Sequence, residues 1–193
     1  MAGRWFLLKQ FLRHPIQVGA IAPSGERLCR ELVDWLELEN VAVAAELGPG
    51  TGVVTREAVR QCGKNTRFFA VELDKNIYDE FKTAMPGVEI FNANACELDK
   101  LCQNEGIEAL DAVISGLPWA SFPEKLQQNI LSAVVRSLKP GGKFSTFAYL
   151  QGMIMPGGIR FRKLLEKEFA QVELSPVIWK NLPPAVVYRC IKK

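Results

Sequence analysis

The chain has 193 residues, a formal net charge of +3, five cysteines and one histidine, and 48% of it is hydrophobic. That length and apolar content suit one globular domain spanning 1–193 and exclude two full domains. Unbroken apolar runs reach only about five residues, short of the ~20 that cross a bilayer, and no signal-peptide pattern opens the chain, so an intracellular protein is expected.

Cys29, Cys62, Cys96, Cys102 and Cys190 are scattered and contain no C-x-x-C pair. Reduced structural thiols follow, with neither a disulfide framework nor a zinc site. His14 is too isolated to build a metal centre or a Ser-His-Asp hydrolase. Charge is polarised: residues 1–30 carry five Lys/Arg against one Glu, and residues 159–193 carry eight against three, leaving −6 for the middle. Basic ends suit an anionic partner, phospholipid or RNA, or simply solvated helix faces.

The first element expected is an amphipathic helix within residues 1–22. At ~100° per residue, Trp5, Leu7, Leu8, Phe11 and Leu12 share one arc, with Lys9, Gln10, Arg13 and His14 opposite. Such a helix lies in a membrane interface or docks on protein. A second helix starts near Ser24 as N-cap, with Glu26 in its first turn and Leu28, Leu32 and Leu36 on one face.

Strand-like runs and helices then alternate. Strands are expected at 41–47, 66–73, 88–93, 111–117 and 142–150, and helices at about 53–62, 76–84 and 123–138. Pro140-Gly141-Gly142 turns the chain from the last of these helices into its strand. This rhythm is that of a parallel sheet with helices on both faces. After a helix at about 160–169, "VELSPVIW" and "AVVYRCI" are separated only by "KNLPP", too little for a crossover, so they pair antiparallel. Five parallel strands closed by such a hairpin form a seven-stranded mixed sheet, the layout of a Rossmann-like class I methyltransferase fold.

The stretch "ELGPGTG" follows the first strand. Its glycines allow a tight turn and close approach of a ligand to backbone, with free N–H groups of the next helix beyond. It matches neither G-x-G-x-x-G nor the phosphate loop, and Glu46 in front of it repels a pyrophosphate but suits a cationic amine. Glu72 ends the second strand, where an acid chelates ribose hydroxyls, with Asp74 as the nearby alternative. An amine, a ribose and no phosphate recognition point to S-adenosylmethionine.

The motifs "LGPGTG", "FFAVELD", "DAVISGLP" and "LKPGGKF" resemble those of S-adenosylmethionine-dependent methyltransferases. More narrowly, "FLRHPIQVGAIAPSG", "SGLPWASFP" and "WKNLPPAVVYR" resemble bacterial phospholipid N-methyltransferases, which methylate the amine of phosphatidylethanolamine towards phosphatidylcholine. The resemblance implies that Glu46, Gly48, Gly50 and Thr51 surround the methionine portion of the cofactor and Glu72 its ribose. Asn94 and Ala95 meet the adenine, with Asn94 standing where an Asp is usual, and Gly116 and Ser24 also lie at the cofactor.

Methylases of planar base amines place an Asn or Asp at the position of Gly116, so a nucleobase acceptor is disfavoured. Tyr149, at the end of the fifth strand, is the candidate to orient or deprotonate an alkyl amine, with core packing as its alternative. Trp119 and Trp179 are candidates for cation–π contact with a methylated nitrogen, or for packing. Asn181 lies in a loop the resemblance places near the acceptor, although two prolines make that loop a plain turn as well. Arg189 either pairs a lipid phosphate or forms an ion pair. The resemblance further implies a cytoplasmic enzyme peripherally bound to the inner membrane face, with no metal and no nucleic-acid partner. The competing readings are an RNA adenine N6-methyltransferase and a non-catalytic S-adenosylmethionine-binding subunit.

Overall fold

Residues 23–193 are described by a computed structural model of the chain. The amphipathic segment expected within residues 1–22, His14 included, lies outside the described residues.

Helix α1 (Pro23–Val33) leads through two 3-10 turns into β1 (Val43–Leu47), followed by α2 (Val53–Gln61), β2 (Arg67–Glu72), α3 (Lys75–Ala84) and β3 (Glu89–Asn92). Then come α4 (Leu98–Asn104), β4 (Leu110–Ser115), α5 (Glu124–Ser137) and β5 (Leu138–Tyr149). A short α6 (Leu150–Met153), α7 (Pro156–Glu168), β6 (Phe169–Leu174) and β7 (Ala185–Lys192) complete the order. The strands form one seven-stranded sheet in the order β3-β2-β1-β4-β5-β7-β6. The first five pair in parallel, and β7 lies antiparallel between β5 and β6.

Alternation along the strands sends successive side chains to opposite faces. Ala44, Phe68, Ala112 and Ile114 join Leu32 and Val33 of α1 and Ala58 of α2 in one buried layer. Ala45, Phe69, Val113 and Phe144 join Leu98 of α4, Leu131 and Val134 of α5 and Phe161 of α7 in the other. A parallel sheet covered on both faces needs this near-continuous apolar run in each central strand.

Three boundaries differ from the sequence reading. The second helix begins at Pro23, so Ser24 falls within its first turn and is not the residue preceding it. The strand after α5 begins at Leu138, and its register with β4 jumps from Leu110–Leu138 to Ala112–Lys143, so Pro140-Gly141-Gly142 loops out of the ladder. The helix expected from about residue 160 begins at Pro156, because Gly157 and Gly158 act as close-packing positions: a Cβ on Gly157 would lie 2.1 Å from the Ala120 carbonyl oxygen. Beyond Leu174 the ladder is lost at Ser175-Pro176, and Ile178 regains a single bridge to Ala185.

Candidate active site

The glycine loop sits where β1, β2 and β4 end side by side. Gly48 donates its amide to the Val71 carbonyl and Gly116 donates to that of Leu47, each at 2.9 Å. A Cβ on Gly116 would stand 2.7 Å from the Gly48 carbonyl oxygen, so the loop and the end of β4 approach backbone to backbone. Gly50 differs: its φ of +54° demands the left-handed region, yet a Cβ there would meet nothing within 4 Å. Its Cα side faces open space, which leaves room for a ligand to approach the backbone. Thr51 is exposed beside it, ahead of α2.

Two carboxyls bracket this loop, and both are buried. Glu46 is 1% exposed, and its Oε2 accepts the Thr55 hydroxyl of α2 at 2.6 Å. Burial pushes its carboxyl up to about 7, with the Thr55 bond opposing. Glu72 is 3% exposed, its Oε1 accepts the Asp74 amide at 2.9 Å, and its Oε2 is buried without a hydrogen-bond partner of good geometry. Burial likewise raises the Glu72 carboxyl. Asp74, the alternative acid, instead caps α3 by accepting the amides of Asn76 and Ile77. A buried carboxylate at the end of β2, facing the backbone of Gly50, Leu73 and Asp74, fits a vicinal diol, and an underused negative charge at Glu46 fits a cation above the loop.

The adenine side is partly occupied by local structure. Asn94 Oδ1 accepts the Cys96 amide at 2.9 Å and so caps the 3-10 turn that begins at Ala95. That oxygen keeps a second lone pair for an exocyclic amine. The residues present therefore fit S-adenosylmethionine at each of its three recognition points, and Glu46, Gly50, Glu72 and Asn94 are the ones that would hold it. Side-chain placement of Ser24 lies outside what is described.

On the other side of Gly116, at the ends of β4 and β5, lies a cavity of about 190 Å³. Leu117, Phe147, Tyr149, Met153, Met155 and Phe161 are among its walls, and no carboxylate lines it. Tyr149 stands edge-on to Phe147 with ring centroids 5.4 Å apart, and burial raises its phenol above the usual value. A phenol so shifted stays protonated at neutral pH; it can orient an amine but is not a ready base.

Other expected acceptor residues are placed differently. Trp119 is 2% exposed, stacks on Phe161 at 4.3 Å and donates its indole N–H to Ser115 Oγ at 3.0 Å. One face of its ring is therefore used by the core while the residue still borders the cavity, alongside Phe147, a wall residue absent from the sequence reading. Asn181 is turned inward, donating to the Pro183 carbonyl at 2.6 Å, so it fixes its own loop. Arg189 pairs with Glu31 at 2.6 Å and ties β7 to α1, the ion-pair alternative of its two readings. Trp179 alone of this group is open to solvent, on the loop before β7.

A second unforeseen residue is Gln127 on α5. Fully buried, it donates from Nε2 to the carbonyls of Trp119 at 2.7 Å and Gly157 at 2.9 Å, linking two walls of the cavity. An inward Gln on an otherwise apolar helix face, and the paired glycines after Pro156, were the signals available. Among the described residues, no group of three His, Cys, Asp or Glu is placed to hold a metal ion, and no helix is long and apolar enough to cross a membrane.

Comparisons agree with this geometry. The sequence model of the methyltransferase domain family matches residues 44–142. Ornithine lipid N-methyltransferase of Singulisphaera acidiphila is 28% identical over 191 residues, covering 96% of this chain and 94% of that protein. Ribosomal RNA small subunit methyltransferase A of Mycoplasmoides gallisepticum is 24% identical over 120 residues, covering 58% of this chain and 44% of that one. Among solved structures, the N-methyltransferase NodS from Bradyrhizobium japonicum in complex with S-adenosyl-L-homocysteine superposes with a TM-score of 0.75 at 13% identity, covering 98% of both chains. An O-methyltransferase from Bacillus cereus, also in complex with S-adenosyl-homocysteine, gives a TM-score of 0.72 at 13% identity, covering 98% of this chain and 90% of that one. At such identities these structures speak to the fold.

Proposed function

This chain belongs to the methyltransferase domain family, and on that premise we propose that it methylates the primary amine of a membrane aminolipid, phosphatidylethanolamine, and the mono- and dimethyl products towards phosphatidylcholine. The cofactor, S-adenosylmethionine, supplies an electrophilic methyl group on a sulfonium.

The observation that carries the reading is the carboxylate-free, aromatic-walled cavity joined to the cofactor loop through Leu117, which lines the cavity and packs its side chain against Gly48. An alkyl ammonium must shed its proton before its lone pair can attack a methyl carbon, and an apolar cavity lowers its pKa. Tyr149, held protonated by burial, accepts a hydrogen bond from a remaining N–H and turns the lone pair towards the donor. The ammonium proton would leave to bulk water as the head group enters, the methyl group would be supplied by the cofactor that Glu46, Gly50, Glu72 and Asn94 would hold, and the chain's own work is alignment of the amine and exclusion of water. As methyl groups accumulate, the rings of Phe147 and Tyr149 offer π faces to a nitrogen that has become permanently cationic.

The long match to a protein named for ornithine lipid supports an aminolipid acceptor in general. A planar base amine is less well served, because Gly116 offers no side-chain acceptor at the end of β4. Peripheral binding at the cytoplasmic membrane face follows from the reading, since the acceptor amine resides there. The test is label transfer from methyl-labelled S-adenosylmethionine in parallel reactions with phosphatidylethanolamine vesicles, ornithine lipid vesicles and ribosomal RNA. Label in phosphatidylethanolamine is the expected result. Label in ornithine lipid alone moves the head-group assignment within the class, and label in RNA alone overturns the reading.

A further inference from the structure

Apolar side chains left in solvent are unevenly distributed. Of eight large hydrophobic side chains exposed among the described residues, five fall in two short segments: Ile154, Met155 and Ile159 in one, Trp179 and Leu182 in the other. Leu182 is 92% exposed, Ile154 78% and Trp179 71%. Single exposed apolar residues are ordinary, but a group of them gathered in one region marks an interaction site.

The topology gathers these two segments. Tyr149, the last residue of β5, is in register with Ala185, the first of β7, and the Leu150 amide donates to the Pro184 carbonyl at 3.0 Å. The chain leaving β5 and the chain entering β7 thus share one edge of the molecule. It is the edge at which the acceptor cavity lies: Met153 lines that cavity and also a neighbouring groove formed with Ile154, Ile159, Arg162, Lys163 and Glu166.

Charge completes the pattern. Residues 150–166 and 174–184 carry four cations, Arg160, Arg162, Lys163 and Lys180, against one carboxylate, Glu166. Arg162 reaches Glu166 at 2.9 Å, while Arg160, Lys163 and Lys180 are exposed. Apolar tips interleaved with cations suit an anionic bilayer, where the tips enter the acyl boundary and the cations stay at the phosphates. A protein partner would favour an apolar centre depleted of lysine.

Resting on the aminolipid reading, the geometry points to this edge as a membrane-docking face for an anionic bilayer, with Ile154, Trp179 and Leu182 inserting and Arg160, Lys163 and Lys180 meeting lipid phosphates. Docked this way, the cavity opens towards the head-group layer, and a lipid amine reaches the site without leaving its leaflet. The face is built from the C-terminal half of the fold.

The test compares the full chain with its I154E/L182E variant, altered at two positions that line neither the acceptor cavity nor the cofactor loop. Co-sedimentation uses vesicles of phosphatidylethanolamine and phosphatidylglycerol. Partition of the variant is expected to fall by about tenfold or more, while S-adenosyl-homocysteine affinity and methylation of monomeric short-chain phosphatidylethanolamine stay at the wild-type level. The charge-reversal pair K163E/K180E is expected to lose partition on the same vesicles. Wild-type partition by both variants overturns the proposal, as does a loss of self-association without a change in partition, which assigns the face to a second copy. Impaired partition with no lipid methylated by any form supports the docking face and refutes the aminolipid reading.

Discussion

Thr55 donates its hydroxyl to Glu46 across 2.6 Å, and both residues are sealed from solvent beneath the glycine loop. A carboxyl placed there has one partner and little water, so its protonation is coupled to whatever cation comes to lie above the loop.

The first consequence is a pH dependence of stability. Burial lifts Glu46 from 4.5 to about 7. An acid whose folded pKa is raised binds more protons folded than unfolded between those values. Its stabilising contribution is therefore complete below 4.5 and lost as pH rises through 7. Urea unfolding of the cofactor-free wild type and of Glu46→Gln should diverge by about 3 kcal/mol across that window, with the wild type losing ground as pH rises. Parallel profiles contradict this account of Glu46.

Glu72 is buried at the cofactor loop with an oxygen that makes no hydrogen bond of good geometry, so removing it should cost binding more than folding. Glu72→Ala is expected to weaken S-adenosyl-homocysteine affinity by about 10- to 100-fold, as for a lost hydrogen bond to a charged group. Calorimetric titration reads the affinity, and an unchanged urea midpoint confirms that the fold is intact. Undiminished affinity would remove Glu72 from the cofactor site.

Two glycine variants should separate space from conformation. Gly116→Ala puts a methyl 2.7 Å from the Gly48 carbonyl oxygen. The expected loss of stability is about 1–3 kcal/mol, together with weaker cofactor binding. Gly50→Ala meets no atom within 4 Å. It should cost only about 1 kcal/mol for its left-handed backbone, yet still weaken cofactor binding by filling the ligand's space. Thermal unfolding with and without S-adenosyl-homocysteine distinguishes the two, and equal behaviour would contradict the geometry.

How much of this was legible in the sequence depended on how local each feature is. The strands, the glycine loop, Glu46 and Glu72 were readable because each rests on a short pattern fixed by one strand-turn-helix unit. For Trp119, Asn181 and Arg189 the sequence left two readings open each, because their partners, Phe161, Pro183 and Glu31, are set by tertiary packing or by the fold of one turn. The start of α7 was missed because Gly157-Gly158 reads as a helix breaker until Ala120 is brought against it. Gln127 stood out only as a polar residue on an apolar helix face, and its role was hidden because its two acceptors lie on different segments.

Gln127 gives the next prediction. Gln127→Leu leaves the Trp119 and Gly157 carbonyls without this donor, and an unsatisfied buried acceptor costs about 1–3 kcal/mol. The melting temperature should fall by several degrees, at about 2–4 °C per kcal/mol for a chain of this size. Because the two carbonyls flank the cavity, the acceptor KM should rise while cofactor affinity holds. Loss of stability with an unchanged KM would reduce Gln127 to a packing role.

Tyr149 is held protonated by burial, so it positions the amine rather than deprotonating it. Tyr149→Phe should lower kcat by about tenfold or more while sparing cofactor affinity, in line with typical losses at a positioned hydrogen-bonding group. The wild-type rate should show no activating limb from Tyr149 ionisation near neutral pH. A rate that climbs with an ionisation lost in Tyr149→Phe would instead identify a base.

The central claim, that this chain methylates a membrane aminolipid, is tested most directly in a bacterial host that makes phosphatidylethanolamine but no phosphatidylcholine. Lipid mass spectrometry after expression of the wild type and of Glu72→Ala is the measurement. Mono-, di- and trimethylated phosphatidylethanolamine in the wild-type extract, absent or strongly reduced with Glu72→Ala, is the predicted result. An unchanged lipid profile from a folded wild type that binds S-adenosyl-homocysteine would contradict it.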